Sequence, residues 1–151
     1  MALSASKTKI ELREILLKDR PQSLYDISSK GTVPVLKIND NHIIDESLQI
    51  MIWAISQSKL NWLTISPEEQ YKLININDID FKFWLNRYKY SDRFPEQSFE
   101  YYQNKCRQIL SSHDQILQCN KYFFANDIQL ADVAIFPLIR QCENVDSNWF
   151  K

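Results

Sequence analysis

The sequence predicts an α/β unit followed by an all-helical unit. In the first part of the chain, alternating and short apolar runs are typical of strands, and from Glu46 the apolar residues recur at helical spacing. After a strong helix start at residues 66–69, helical spacing continues through the rest of the chain. We therefore predict a first domain at residues 1–57, a linker at residues 58–66 and a second domain at residues 67–151.

Composition excludes several classes of protein. The 151 residues are 44% hydrophobic, which is enough to build a packed core. Charged residues make up 25% and nearly cancel to a net charge of -1, so there is no basic face to neutralise nucleic-acid phosphates. Residues 1–9 are too polar for a signal peptide, and no apolar run approaches the roughly 20 residues that cross a bilayer. We expect a cytoplasmic protein that binds neither nucleic acid nor a membrane.

The cysteines give no sign of a disulfide framework or a metal site. Cys106, Cys119 and Cys142 are widely spaced and form no CxxC motif. Only His42 and His113 accompany them, so a metal site would have to assemble from distant residues. Cys106 and His113 also fall on the apolar stripe of a predicted helix, which favours packing over catalysis for both. We predict reduced thiols and no metal.

The first unit has three candidate strands. Residues 9–17 alternate polar and apolar side chains, which favours a strand over the competing interpretation as a helix. Residues 21–27 offer a helical turn or two, and residues 33–38 predict a second strand. A tight turn at 39–41 then leads into a short strand at 42–44, which gives a hairpin.

Four helical segments follow. The first runs from Glu46 to about Ser56, and residues 66–69 open the second with a capping hydroxyl, a proline and two acids. Residues 99–117 carry a regular apolar stripe. The last helix begins near Leu130 and is apolar nearly all round, so we expect it to be buried.

Gly31 is the single glycine of the chain. Left-handed backbone positions normally use glycine, and asparagine and aspartate tolerate them better than other residues do. We therefore expect the pairs Asn39-Asp40 and Asn126-Asp127 to supply such positions elsewhere.

Two separate motifs carry a resemblance to a known family. The first is KGTVPVL at residues 30–36 followed by IDES at 44–47 and an apolar helix, and the second is LADVAIFPLIRQ at 130–141. In order and spacing they resemble the glutathione transferases, of bacterial type. The resemblance implies an incomplete thioredoxin-like N-terminal domain followed by an all-helical glutathione transferase C-terminal domain. It also implies glutathione as co-substrate, a small electrophilic substrate and a homodimer.

Val33 and Pro34 are the first candidate site residues. A proline that starts a strand lacks an N–H, so the preceding residue keeps backbone groups that can face a ligand. By resemblance the Val33-Pro34 bond is cis, and the backbone of Val33 pairs with the cysteinyl part of glutathione as an added strand would. The structural alternative is a trans proline on an edge strand.

Glu46 and Ser47 are the second pair of candidates. They lie at a strand-to-helix junction, where free N–H groups hold a carboxylate and a side-chain carboxylate takes an ammonium. By resemblance Ser47 binds the γ-glutamyl carboxylate and Glu46 its amino group. The alternative makes Ser47 a helix cap and Glu46 a first-turn acid, and the two interpretations are compatible.

Asp132 matches the acid of a family capping box, but Gln129 stands where Ser or Thr is usual. We therefore expect a cap that is weaker by roughly 1 kcal/mol unless another group compensates.

The resemblance also implies missing parts. Family members begin with a strand and a helix, and the Tyr, Ser or Cys that activates the glutathione thiol ends that strand. Residues 1–3 already resemble the end of the helix, so we expect the chain to lack the activating residue, and the helical domain to be cut as well. Ser4 and Ser6 are the nearest hydroxyls, at the wrong end of the helix.

Two functions remain open. One is an enzyme that binds glutathione and transfers it to electrophiles, with an activator from elsewhere because the catalytic residue is unknown. The other is a non-catalytic remnant that binds glutathione or another protein.

Overall fold

The computed structural model describes residues 1–151 and divides the chain into two compact units. The N-terminal unit is Met1–Asn61 and the C-terminal unit is Trp62–Lys151. None of the helices combines the length and the apolar character needed to span a membrane.

The N-terminal unit contains three helices and a hairpin. Its elements are α1 (Ala2–Ala5), α2 (Gln22–Ile27), β1 (Leu36–Asn39), β2 (His42–Ile44) and α3 (Ser47–Ser56). β1 and β2 pair antiparallel, and they form a two-stranded sheet that confirms the predicted hairpin. The helix α1 packs on α3, whose buried residues are Ile50 and Ala54.

The predicted strand at residues 9–17 is wrong. These residues have no regular secondary structure apart from a bridge that joins Leu16 to Asp19. A strand is held by a ladder to a neighbour, and the sheet consists of β1 and β2 alone. Most apolar side chains of the segment are therefore exposed, and Ile15 is partly buried. The second predicted strand exists, but it begins at Leu36 and not at Val33.

The C-terminal unit is entirely helical. Its long elements are α4 (Pro67–Ile76), a π-helical turn (Asn77–Phe81), α5 (Lys82–Lys89), α6 (Phe99–Leu117) and α7 (Leu130–Glu143). A short 3₁₀ turn (Ser91–Arg93) follows α5, and α8 (Ser147–Phe150) ends the unit. The predicted apolar stripe at residues 99–117 coincides with α6.

An aromatic core joins α5, α6 and α7. Its buried members are Phe81, Leu85, Tyr88, Tyr102, Cys106 and Cys142. The hydrogen bond to the Cys142 sulfur, together with burial, raises the pKa of the Cys106 thiol. The prediction that Cys106 packs in the core is confirmed, because its side chain is fully buried.

His113 is also a core residue, as predicted. It is 2% exposed, and the rings of Phe81 and Phe123 face it edge-on with centroids at 6.3 and 5.4 Å. Neither ring nitrogen has a hydrogen-bond partner. Burial lowers the pKa of this histidine, because a charged imidazole would lie unpaired among aromatic rings.

The start of α7 is capped from a distant helix. The Ala131 N–H donates to Oε1 of Gln70 at 3.0 Å, and Gln70 is fully buried on α4. The Leu130 N–H donates to the carbonyl of Trp62 at 2.8 Å. These bonds satisfy two of the N–H groups that every helix start leaves free.

The Asp132 carboxylate supports the same junction. It accepts hydrogen bonds from the N–H of Gln129 at 2.7 Å and of Phe123 at 3.0 Å. The side chain of Gln129 is turned into the network of Gln70, whose Nε2 donates to its Oε1 at 3.3 Å. The cap that Gln129 was expected to weaken is therefore compensated by Gln70.

Two local expectations are wrong. Ser66 precedes Pro67 as predicted, but its backbone is left-handed with φ of 46°, and its side chain makes no capping hydrogen bond. An N-cap side chain reaches the free N–H groups from an extended backbone, which Ser66 lacks. Positive φ occurs at Lys7, Gly31 and Ser66, and not at the predicted asparagine and aspartate pairs.

Replacing Gln70 should destabilise the chain. Gln70→Met keeps the side-chain volume, but it leaves the Ala131 N–H and the Ile65 carbonyl without their partner. We expect a loss of about 2 kcal/mol in the free energy of unfolding, measured by urea denaturation. Gln115→Met, on the exposed side of α6, is the matched control and should change stability by less than about 0.5 kcal/mol. Equal losses in both variants would contradict the capping role.

Stability should fall in mild acid because of His113. Its pKa is lowered by folding, so the unfolded chain binds the proton more readily. The stabilisation is complete above the unfolded pKa of about 6.5 and is lost as pH falls toward the folded value, by up to about 1.4 kcal/mol per pH unit. In His113→Phe, the urea midpoints measured at neutral and at mildly acidic pH should therefore differ less than they do in the wild type. His42→Gln, at an exposed position, should keep the wild-type difference.

Candidate ligand site

The loop before β1 presents an unpaired stretch of backbone. The Val33-Pro34 bond is cis, as the resemblance implies, and Gly31 has a left-handed φ of 58°. The β1–β2 ladder begins at Leu36, so the backbone of Val33 takes no part in it. Val33 is 46% exposed. The loop thus offers the N–H and carbonyl of one residue to an extended ligand.

The start of α3 offers free N–H groups. Glu46 occupies the N-cap position with an extended backbone, and Ser47 is the first helical residue. No side chain caps this helix, so the interpretation of Ser47 as a cap is wrong. A helix start of this kind favours an anion, through its free N–H groups and the positive end of the helix dipole.

Lys30 joins the loop to the helix start. Its Nζ lies 2.5 Å from Oε1 of Glu46 and 3.1 Å from Oδ1 of Asp45. The Ser28 hydroxyl donates to Oδ2 of the same Asp45 at 2.8 Å. Asp45, which precedes the N-cap residue of α3, therefore binds both Ser28 and Lys30 of the preceding loop.

The electrostatics follow from these contacts. The hydrogen bond from Ser28, with that from Lys30, lowers the pKa of Asp45. The hydrogen bonds to Glu46 and Asp45 raise the pKa of Lys30. All the charges are solvated, so the cluster positions side chains more than it adds stability. The Glu46 carboxylate is thus already placed to accept an ammonium group.

Sequence reasoning missed Ser28, Lys30 and Asp45 as members of this site. Lys30 opens the first motif and Asp45 lies in its IDES part, but the sequence alone does not show that a salt bridge joins them. The available signal was one basic residue before the turn and two adjacent acids after β2.

The serines near the N-terminus have structural surroundings. The Ser6 hydroxyl donates to the Leu3 carbonyl at 2.9 Å and shares a hydrogen bond with the Thr8 hydroxyl at 2.6 Å. It thus satisfies the end of α1. Ser4 is exposed on the same short helix. Nowhere in the chain do three or more His, Cys, Asp or Glu side chains gather in a way that could hold a metal ion.

Two comparisons with known proteins found a match. Residues 1–62 match the family model described as glutathione S-transferase, N-terminal domain. The fold is glutathione S-transferase-like, with a thioredoxin-like N-terminal region and a helical remainder.

One solved structure gives the fold for almost the whole chain. It is glutathione S-transferase 1-6 from Anopheles dirus species B, with a TM-score of 0.65 over 99% of this chain and 85% of that chain. The sequence identity is 18%, so the likeness establishes the fold alone. No curated protein matches the sequence. The family match thus concerns the N-terminal unit, and the structural match concerns the fold.

A side chain at position 31 should disturb the loop. In Gly31→Ala the new Cβ would fall on the ring of Tyr25, and the left-handed backbone would cost roughly 1–2 kcal/mol by itself. Both the clash and the backbone cost should lower the midpoint of thermal unfolding. The double variant Tyr25→Ala, Gly31→Ala, compared with Tyr25→Ala, removes the clash and keeps only the backbone cost. If Gly31→Ala unfolds like the wild type, the left-handed turn is not required.

Proposed function

We propose that this chain is a glutathione S-transferase-like protein that binds glutathione with Val33, Pro34, Glu46 and Ser47. The observation that carries the proposal is the start of α3, where an uncapped helix end adjoins a carboxylate that already accepts an ammonium. A γ-glutamyl group carries a carboxylate and an ammonium on one carbon atom, so it fits both neighbours at once.

The binding mode follows from the two parts of the site. The N–H and hydroxyl of Ser47 take the γ-glutamyl carboxylate, and Glu46 takes the amino group. Because Lys30 holds Glu46 in the free protein, the ligand ammonium replaces the Lys30 ammonium on that carboxylate. The backbone of Val33, outside the ladder, pairs with the cysteinyl part, and Pro34 sets the direction of the chain that follows.

Transfer of glutathione to a small electrophile is the activity we propose for a protein of this class in the cytoplasm. It requires a group that hydrogen-bonds the glutathione sulfur and favours the thiolate. We assign no residue to that task, since the hydroxyl of Ser6 is engaged at the end of α1.

A second candidate function is binding without turnover, either of glutathione or of another protein. The specific observation in its favour is the exposed apolar segment at residues 9–17, where Leu12 and Leu16 are 74% and 75% exposed. Surface of this kind is typical of interaction sites.

Glutathione should stabilise the protein against heat. A ligand that binds only the native state at about ten times its dissociation constant adds about 1.4 kcal/mol. We therefore expect a higher midpoint of thermal unfolding in millimolar glutathione, and no shift in the double variant Glu46→Ala, Ser47→Ala.

Glu68→Ala is the matched control for this experiment. Glu68 is an exposed first-turn glutamate of α4, so its removal should leave the glutathione shift intact. A wild-type protein that melts cooperatively without any shift would rule out glutathione binding and favour the second candidate. A shift that survives in the double variant would place the ligand elsewhere.

A further inference from the structure

Lys30 already supplies an ammonium group at the start of α3. Its Nζ lies 2.5 Å from Oε1 of Glu46, on the carboxylate to which the proposed function assigns the amino group of the ligand. The Lys30 side chain is 48% exposed and that of Glu46 is 63% exposed, so water surrounds the pair. An exposed ion pair contributes little free energy, and another ammonium group therefore replaces it easily. The free protein thus holds a replaceable ammonium where that of the ligand is expected.

A second contact keeps Lys30 in the site when a ligand takes Glu46. The Nζ of Lys30 also lies 3.1 Å from Oδ1 of Asp45. The other oxygen of Asp45 accepts a hydrogen bond from the hydroxyl of Ser28 at 2.8 Å, and Ser28 is buried. The hydrogen bonds to Glu46 and Asp45 raise the pKa of Lys30, so its ammonium stays charged. Lys30 can therefore leave Glu46 and remain on Asp45.

We propose that Lys30 widens the ligand range of this site to tripeptides that lack the ammonium group of the γ-glutamyl residue. The proposal rests on the glutathione site proposed above. A suitable probe is glutaryl-cysteinyl-glycine, the des-amino analogue in which a hydrogen atom replaces that ammonium. Glutathione displaces Lys30 from Glu46, whereas the analogue leaves the pair of Lys30 and Glu46 in place.

Charge balance explains why both ligands fit. The ligand carboxylate binds at Ser47, next to Glu46, and two neighbouring carboxylates repel each other unless a cation lies beside them. With the analogue, Lys30 neutralises Glu46. With glutathione, the ligand ammonium neutralises Glu46 and Lys30 stays on Asp45. Each complex thus has one ammonium against Glu46, so the two ligands should bind with similar affinity.

Removing the charge of Lys30 should make the site selective. In Lys30→Met, only a ligand that carries its own ammonium neutralises Glu46. The quantity to measure is the dissociation constant of the analogue divided by that of glutathione, both from isothermal titration calorimetry, because a loss common to both ligands cancels in this ratio. The ratio should be below about threefold in the wild type and should rise about fivefold in Lys30→Met.

Three further variants separate this role from a general effect of charge. Lys30→Arg keeps a cation and should keep the wild-type ratio. Lys37→Met makes the same charge change at a lysine of similar exposure that pairs with Asp40, and it should also keep the ratio. In the double variant Lys30→Met, Glu46→Gln the neutral amide needs no cation, so the ratio should return to the wild-type value. A merely structural role of Lys30 would not depend on the charge of Glu46.

The outcomes distinguish this proposal from the proposed function. If glutathione binds and the ratio is the same in the wild type and in Lys30→Met, the glutathione site stands and the role of Lys30 is overturned. A wild type that already prefers glutathione by more than about tenfold also overturns that role. If neither ligand binds the wild type or any variant, the glutathione site itself is wrong, and the role of Lys30 is wrong with it.

Discussion

The C-terminal unit depends on the hydrogen bonds made by the free N–H groups at one buried helix start. Leu130 and Ala131 are fully buried, so the free N–H groups at the start of α7 cannot turn to water. Gln70 supplies the missing acceptor from α4, and its amide also donates to the Ile65 carbonyl at 2.7 Å. One side chain thus fixes both the approach of α4 to α7 and the end of the connector that leads into α4.

Sequence patterns predicted local secondary structure but missed contacts between residues that are far apart in the chain. The bounds of α6, the burial of Cys106 and the hairpin follow from periods of 3.6 or 2 and from turn residues close in sequence. Gln70 caps a helix start 61 residues away, and no local pattern shows that contact. Residues 9–17 have the alternation typical of a strand, but this pattern does not show whether a second strand is present to pair with them. At Ser66, the residue type suggested a cap that the backbone conformation excludes.

The candidate site shows the same division. Glu46 and Ser47 could be placed at a helix start because the apolar period changes just there. The salt bridges of Lys30 could not be placed, since they join a loop to a helix start 15 and 16 residues later. They have a physical consequence for recognition. A ligand ammonium must replace the Lys30 ammonium that already contacts Glu46. The free energy gained is therefore the difference between two similar contacts. That difference is smaller than the free energy gained by contacting an unpaired carboxylate.

The exposed segment at residues 9–17 also affects how long the molecule survives in a cell. Residues 9–17 have no regular secondary structure and are largely exposed, so a protease can reach their backbone without unfolding a helix or a strand. Arg13 and Lys18 provide cleavage positions for enzymes that cut after basic residues. A protein bound to this segment would cover the same backbone and would slow its cleavage.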